Sequence, residues 1–320
     1  MMRLLWLLVT VAARELPLAP LRPWNQSKLL QHLHVQKCGG TSIDAFFAER
    51  RVVDRYRGHK HFDASCIDPD DGVIFMARDP TARAISHFHF VKMHAWTASY
   101  PAIRGAPSLT ALAAAGRGNL FWRDGEGLAS WLSGTYVKAS YHCDGAAERF
   151  VGAAVAERAL ALMRRATWFG VLERPRDNDV LFRRVFGVPL DMPRKNDNRR
   201  YDAGGEDTAF LGELHAWDRW LYACANAILD ARLAGRSAFA VPDAPSAAAR
   251  NRSEAALRAS VGARRAHEAE DRAALAAAAG RGDAAPPPPP PRRKKKRRAN
   301  RLGGLRWALG AAPRALHAVT

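Results

Sequence analysis

The chain has 320 residues, 48% of them apolar, and a formal net charge of +18; that size and composition suit one large domain or two ordinary ones and exclude a wholly disordered protein. The charge is uneven, because residues 281–320 hold eleven Lys or Arg against one acid, Asp283, which puts +10 there and leaves +8 on the other 280 residues. A modestly basic folded part suits an anionic ligand, and the tail is a separate electrostatic object.

In chain order, Met1-Met2-Arg3 followed by the uncharged run 4–13 has the form of a positive n-region and a short h-region. At about 1.5 Å per residue the run is too short to cross a hydrocarbon core of about 30 Å. Residues 1–26 are therefore expected to be a cleaved signal, with Val11 and Ala13 near the cut, or a signal anchor and stem touching the membrane; a buried N-terminal strand is the bland alternative. Sequons at Asn25 and Asn251 fit a lumenal protein. Cys38, Cys66, Cys143 and Cys224 form no CxxC pair, so no structural zinc site is expected, and Cys38 is expected to be unpaired.

Residues 29–35 form an apolar, His-bearing run ending at Lys37-Cys38-Gly39-Gly40, after which Ile43, Phe46 and Phe47 recur at helical spacing. This predicts strand, glycine loop and helix. Further strands are predicted at 52–56 and 73–77. Asp79-Pro80 then supplies a cap and a first-turn proline for a helix over 80–93. Residues 94–127 read as loop. Helices are predicted at 128–132 and 146–166, a buried strand at 168–172, and helices at 180–186 and 207–231. Strands alternating with helices argue for an α/β fold with a parallel sheet covered on both faces.

The folded domain is expected over 27–235 and an Ala/Arg-rich helical or flexible segment over 236–280, with a helix predicted at 253–279. Six prolines at 286–291 and seven basic residues at 292–298 cannot bury enough apolar surface to offset ordering entropy, so 281–320 is expected to be a disordered basic tail.

Gln36-Lys37-Cys38-Gly39-Gly40-Thr41-Ser42 lies between the predicted strand and helix, where backbone amides and the positive helix end favour an anion. Gly39 and Gly40 permit close approach, Lys37 adds a point charge, and Thr41 and Ser42 add hydroxyl donors. It is not a Walker A sequence, since the lysine precedes the glycines. A plain Gly-Gly turn is the competing reading. Arg78 at the end of the third strand and Ser86 two turns into the next helix form a second candidate anion site, suited to a terminal phosphate. Read blandly, Arg78 is a surface ion-pair residue and Ser86 a helix filler.

His34-Val35-Gln36-Lys37-Cys38-Gly39-Gly40-Thr41-Ser42 resembles the 5′-phosphosulfate loop of the Golgi heparan sulfate O-sulfotransferases of the 6-O and 2-O branches. The stretch 73–86, with Arg78-Asp79-Pro80 and Arg83, is similar to that family's 3′-phosphate element. The similarity continues at Trp168-Phe169-Gly170-Val171-Leu172-Glu173, Asn196-Asp197-Asn198-Arg199 and Trp217-Asp218 with Leu221-Tyr222. Cys38 departs from the family's usual threonine.

The resemblance implies a three-layer, P-loop-like fold with helices flanking the central sheet, and transfer of a sulfuryl group from PAPS to a sugar hydroxyl in the Golgi lumen. It implies Lys37 on the bridging oxygen, Thr41 and Ser42 on the 5′-phosphate, and Arg78, Ser86 and Arg199 on the 3′-phosphate. Tyr56-Arg57-Gly58-His59 resembles the family's segment with the catalytic histidine, which makes His59 the expected general base and His61 its rival. Arg57, Lys60 and His61 are expected to meet an anionic polysaccharide acceptor, alongside Arg50, Arg51 and Arg55; a solvated charged face is the alternative. No metal is expected, and His87, His89 and His94 read as faces of a helix. Two other functions compete. One is a nucleic-acid-binding or nuclear protein acting through 292–298, which conflicts with the N-terminal signal; the other is a non-catalytic, glycan-binding sulfotransferase homologue.

Overall fold

The computed structural model describes residues 14–59, 67–68, 70–93, 103, 105–114, 127–133, 152–192, 205–255, 258 and 273. The chain divides into units at 1–269 and 270–320, and every element below lies in the first. The expected signal run at 4–13 and the expected disordered tail at 281–320 fall outside the described residues. Among the described residues no helix is long and apolar enough to cross a membrane.

The fold is α/β. Strands β2 (Leu30–Leu33), β3 (Tyr56–His59), β4 (Gly72–Ala77) and β5 (Trp168–Val171) form a four-stranded sheet in the order β3-β2-β4-β5, parallel throughout. β2, β4 and β5 are buried along their whole length. That is why β4 and β5 read as continuous apolar runs rather than alternating ones, while β2 carries buried Gln31 and His32. β2 is followed by α1 (Gly40–Arg50) and β4 by α2 (Pro80–Met93), as the sequence predicts. Asp79 caps α2, its Oδ1 accepting from Ala82 N at 2.8 Å, with Pro80 in the first position.

The remaining helices are α3 (Leu109–Ala114), α4 (Gly127–Ser133), α5 (Ala153–Arg165), α6 (Pro175–Phe186), α7 (Thr208–Glu213) and α8 (Ala216–Leu233). α1 and α6 meet through Phe46 and Phe47 against Phe182, with ring centroids 5.5 and 5.9 Å apart. α6 is tied to β5 by buried Asn178, which accepts from Val171 N at 2.9 Å and donates to Val171 O at 2.7 Å. On the sheet, Phe75 of β4 stacks on Phe169 of β5 at 5.0 Å.

Several elements differ from the sequence expectation. The second strand of the sheet lies at Tyr56–His59, not 52–56, because pairing begins at Leu30 with Tyr56; Gly58 interrupts the apolar pattern that would have marked it. α3 occupies part of the stretch read as loop, with the Glu206 carboxylate accepting from Leu109 N and Thr110 N at 2.7 and 2.8 Å. The single helix expected over 207–231 is two, α7 and α8, divided at Leu214–His215, where the Leu214 carbonyl accepts from Ser253 Oγ at 3.0 Å. That partner is remote in sequence. β1 (Glu15–Pro17) and β6 (Ala238–Ala240) pair antiparallel, joining segments on either side of 27–235. Residues 247–255 are helical, so a helix starts ahead of the predicted 253, and most of 253–279 lies outside the described residues.

Candidate functional site

From β2 the chain crosses to β3 on one side, and β4 then adds on the other. The carboxyl ends of β2 and β4 are therefore adjacent at the point where strand order reverses, the place where open parallel sheets leave a crevice for ligands. The two predicted anion elements are the segments that leave these two strands.

The loop after β2 turns tightly, with Lys37 at φ 62° and Gly39 at φ 84°. A lysine in the left-handed region costs about 1–3 kcal/mol unless its surroundings hold it there. Here Arg78, the first residue after β4, holds it: Arg78 Nη1 donates to the Lys37 carbonyl at 3.0 Å. Gly39 caps α1, whose first turn contains Gly40, Thr41 and Ser42. The first amides of any helix lack intrahelical acceptors, so this turn presents donors at the strand ends.

Arg78 is braced from the other side by Glu173, which follows β5: its Oε1 is 4.0 Å from Arg78 Nε and accepts from Asp79 N at 3.2 Å. Glu173 Oε2 accepts in turn from Tyr222 OH of α8 at 3.1 Å. Lys37 Nζ lies 4.4 Å from the centroid of the Phe90 ring of α2. Ser86 is buried one helical turn before Phe90 and so shares the face of α2 that meets Lys37.

Burial, reinforced by the nearby Arg78 guanidinium, pulls Lys37 down to about 8. Among the described residues no acid counters this; the opposing contribution is the Cys38 thiol, itself pushed up to about 12 by burial and so neutral. Cys38 is a free, buried cysteine that faces the core, where a small apolar group packs as well as a threonine methyl. An anion beside Lys37 favours its charged form, so anion affinity should fall as pH rises through about 8. Calorimetry with inorganic sulfate is expected to find binding at least about tenfold weaker near pH 9.5 than near pH 6.5.

The other expected site residues divide as follows. His59 is the last residue of β3, paired with Leu33 at the carboxyl end of the sheet, so its backbone lies on a strand beside β2 and not in a loop. Arg57 is in the same strand and exposed. Lys60, His61 and Arg199 lie outside the described residues. Arg50 and Arg55 have local partners, Asp191 at 3.1 Å and the Ser27 carbonyl at 2.9 Å.

Sequence reasoning gave no role to Glu173, Tyr222 or Phe90, although Glu173 and Tyr222 stand inside quoted motifs. It also passed over a cluster on the α1 side of β2. Asp44 of α1 bonds His32 Nδ1 at 2.7 Å and His34 Nδ1 at 2.9 Å, and accepts from Tyr56 OH at 2.8 Å. The alternation His32-x-His34 on a strand was its available signal. His32, His34 and Asp44 are also a group among the described residues able to surround a metal ion, with ligand atoms within 4.8 Å of one another. A scan against protein-family models finds no match to the chain, and a search of curated proteins finds none either.

Proposed function

We propose that the chain is a PAPS-dependent carbohydrate O-sulfotransferase of the Golgi lumen, with a three-layer, P-loop-like fold, in which the ends of β2 and β4 grip opposite ends of one doubly phosphorylated adenosine. The observation that carries this reading is the Lys37–Arg78 pair. Two cations are crowded at the strand ends, and among the described residues no acid pairs with the lysine. A polyanion bound there removes the like-charge penalty.

PAPS supplies an activated sulfuryl group on a phosphosulfate anhydride. In this scheme Gly39 and Gly40 amides with Thr41 and Ser42 hold the 5′-phosphate, while Arg78, Ser86 and Arg199 hold the 3′-phosphate. Lys37 stabilises negative charge on the bridging oxygen as the S–O bond to the nucleotide breaks. His59 takes the proton of the sugar hydroxyl as the new O–S bond forms, with His61 as the rival base. Arg57, Lys60 and His61 meet the anionic polysaccharide. No metal takes part, and positioning and electrostatics dominate, as in phosphoryl transfer.

The test is purified full chain with labelled PAPS and a panel of desulfated heparan-type glycans, alongside calorimetry with adenosine 3′,5′-bisphosphate. Label is expected on a glycan hydroxyl, and the bisphosphate is expected to bind. Absence of bisphosphate uptake overturns the reading. Uptake with no transfer to any glycan points instead to a glycan-binding homologue without turnover. Removal of residues 281–320 is expected to leave transfer intact; loss of transfer would move the function toward the basic tail.

A further inference from the structure

His32 in β2 and His34, the first residue beyond it, are two apart in an extended run, and both side chains reach Asp44 of α1. Its carboxylate accepts from both imidazoles and from Tyr56 of β3, so three elements converge on one acid. Two glycines make the convergence possible. A Cβ on Gly58 would lie 2.5 Å from Asp44 Oδ1, and one on Gly40 would lie 2.5 Å from the His34 ring.

Burial alone pushes an acid upward, but the bonds from His32, His34 and Tyr56 hold the Asp44 carboxyl far below the usual carboxylate range. An ionised Asp44 fixes both tautomers, because each Nδ1 must carry a hydrogen to donate. Nε2 of each ring is then a lone pair in the neutral form. For His32 that atom is buried without a partner, and burial holds the ring neutral. A metal ion on Nδ1 of His32 would turn this orphan lone pair into an orphan N–H, the more costly arrangement. The cluster is therefore better suited to protons than to a cation.

His34 differs from His32. Its side chain is 12% exposed. The Cγ–Cδ2–Nε2 edge of its ring faces Gly40, where an added Cβ would lie 2.7 Å from Nε2. Nε2 thus lies against Gly40, the first residue of α1, while Nδ1 is bonded to Asp44.

We infer that His34 is an anion ligand of this loop, and that a phosphate or phosphosulfate group is taken up there together with one proton, carried on Nε2 of His34. The imidazolium then lies between two negative groups, Asp44 behind and the anion in front. Nothing covalent changes; the proton comes from solvent. The inference rests on the reading that the loop holds the 5′ end of the nucleotide. His34 meets His32 of β2, which stacks on it, and Asp44 of α1; Tyr56 of β3, whose phenol is pushed up by burial and by Asp44, bonds the same carboxylate, and Lys37 and Arg78 belong to the loop that follows. His59 ends the neighbouring strand. Since Lys37 also changes charge, the informative quantity is the difference made by His34 alone.

The experiment is calorimetry of the full chain with adenosine 5′-phosphosulfate, whose anhydride has no proton to lose near neutrality, in two buffers of different ionisation heat. Wild type is expected to take up close to one proton more per ligand than His34→Gln, and to bind about tenfold more tightly. Asp44→Asn, which keeps the shape but removes the charge behind the ring, should lose proton uptake likewise. Nitrogen NMR of the wild-type His34 side chain supplies a readout that needs no variant: ligand should convert Nε2 from a lone-pair to an N–H resonance. Ligand binding with equal proton counts in wild type and His34→Gln, or an unchanged Nε2 resonance, overturns this inference alone. Wild type that takes up no nucleotide at all overturns the loop reading and this one with it.

Discussion

Replacing Lys37 with alanine is expected to lower kcat for sulfuryl transfer by about a hundred- to a thousand-fold, the loss usual when one preorganised donor to developing charge is removed. Lys37 is held by a left-handed backbone, by Arg78 on its carbonyl and by Phe90 against its ammonium group. It is thus fixed before substrate arrives, and in the proposed reaction it is the charge that meets the leaving oxygen. An interaction that strengthens only in the transition state shows as a fall in kcat with little change in KM. Lys37→Arg should not restore the rate, because a planar guanidinium cannot occupy the site of a compact ammonium ion. Steady-state kinetics with PAPS and a glycan acceptor measure both. Alanine at this position with transfer within tenfold of wild type would remove Lys37 from the chemistry.

The second large effect is on stability and lies away from the loop. Asp218 of α8 is fully buried, and its carboxylate accepts from Leu128 N at 3.0 Å, Ala129 N at 2.8 Å and Arg83 Nη2 at 3.3 Å. It caps α4 from another helix, accepting from two amides of its first turn. A Cβ on Gly127 would meet Arg83 Nη1 at 2.5 Å, so a side chain there would push the guanidinium off Asp218. Burial pushes the Asp218 carboxyl up, against the pull of Arg83 and the two amides. Asp218→Ala leaves Arg83 buried without its counter-ion and strands two amides, so a loss of about 3–5 kcal/mol is expected in denaturant unfolding. Asp218→Asn, which keeps one acceptor oxygen, should lose less. A loss under about 1 kcal/mol for the alanine variant would show that α2, α4 and α8 are joined by other contacts.

The start of α2 was legible because its signals are local, whereas α6 begins at Pro175, ahead of the expected 180, and α3 falls in a stretch read as loop. Asp79-Pro80 marks α2 through one side-chain bond and one fixed φ, and both are properties of adjacent residues. β4 and β5 were legible because strands buried on both faces are apolar throughout, and β2 because it runs into the glycine loop. β3 was not, since its boundaries are set by partner atoms on β2 and its glycine serves Asp44. The division between α7 and α8 depends on Ser253, about forty positions along the chain, which no helical period can register.

The candidate site divides in the same way. Lys37, Gly39, Gly40, Thr41, Ser42 and Arg78 could be named from the sequence because a strand, a turn and a helix N-terminus are local objects with a chemistry of their own. That Arg78 would bond the Lys37 carbonyl, that Glu173 and Tyr222 would brace it, and that Asp44 would gather His32, His34 and Tyr56 were decided only when β2 took its place between β3 and β4. Side-chain type and short-range spacing are written along the chain, but distances between strand ends follow from sheet order, and sheet order is set by the packing of the whole domain.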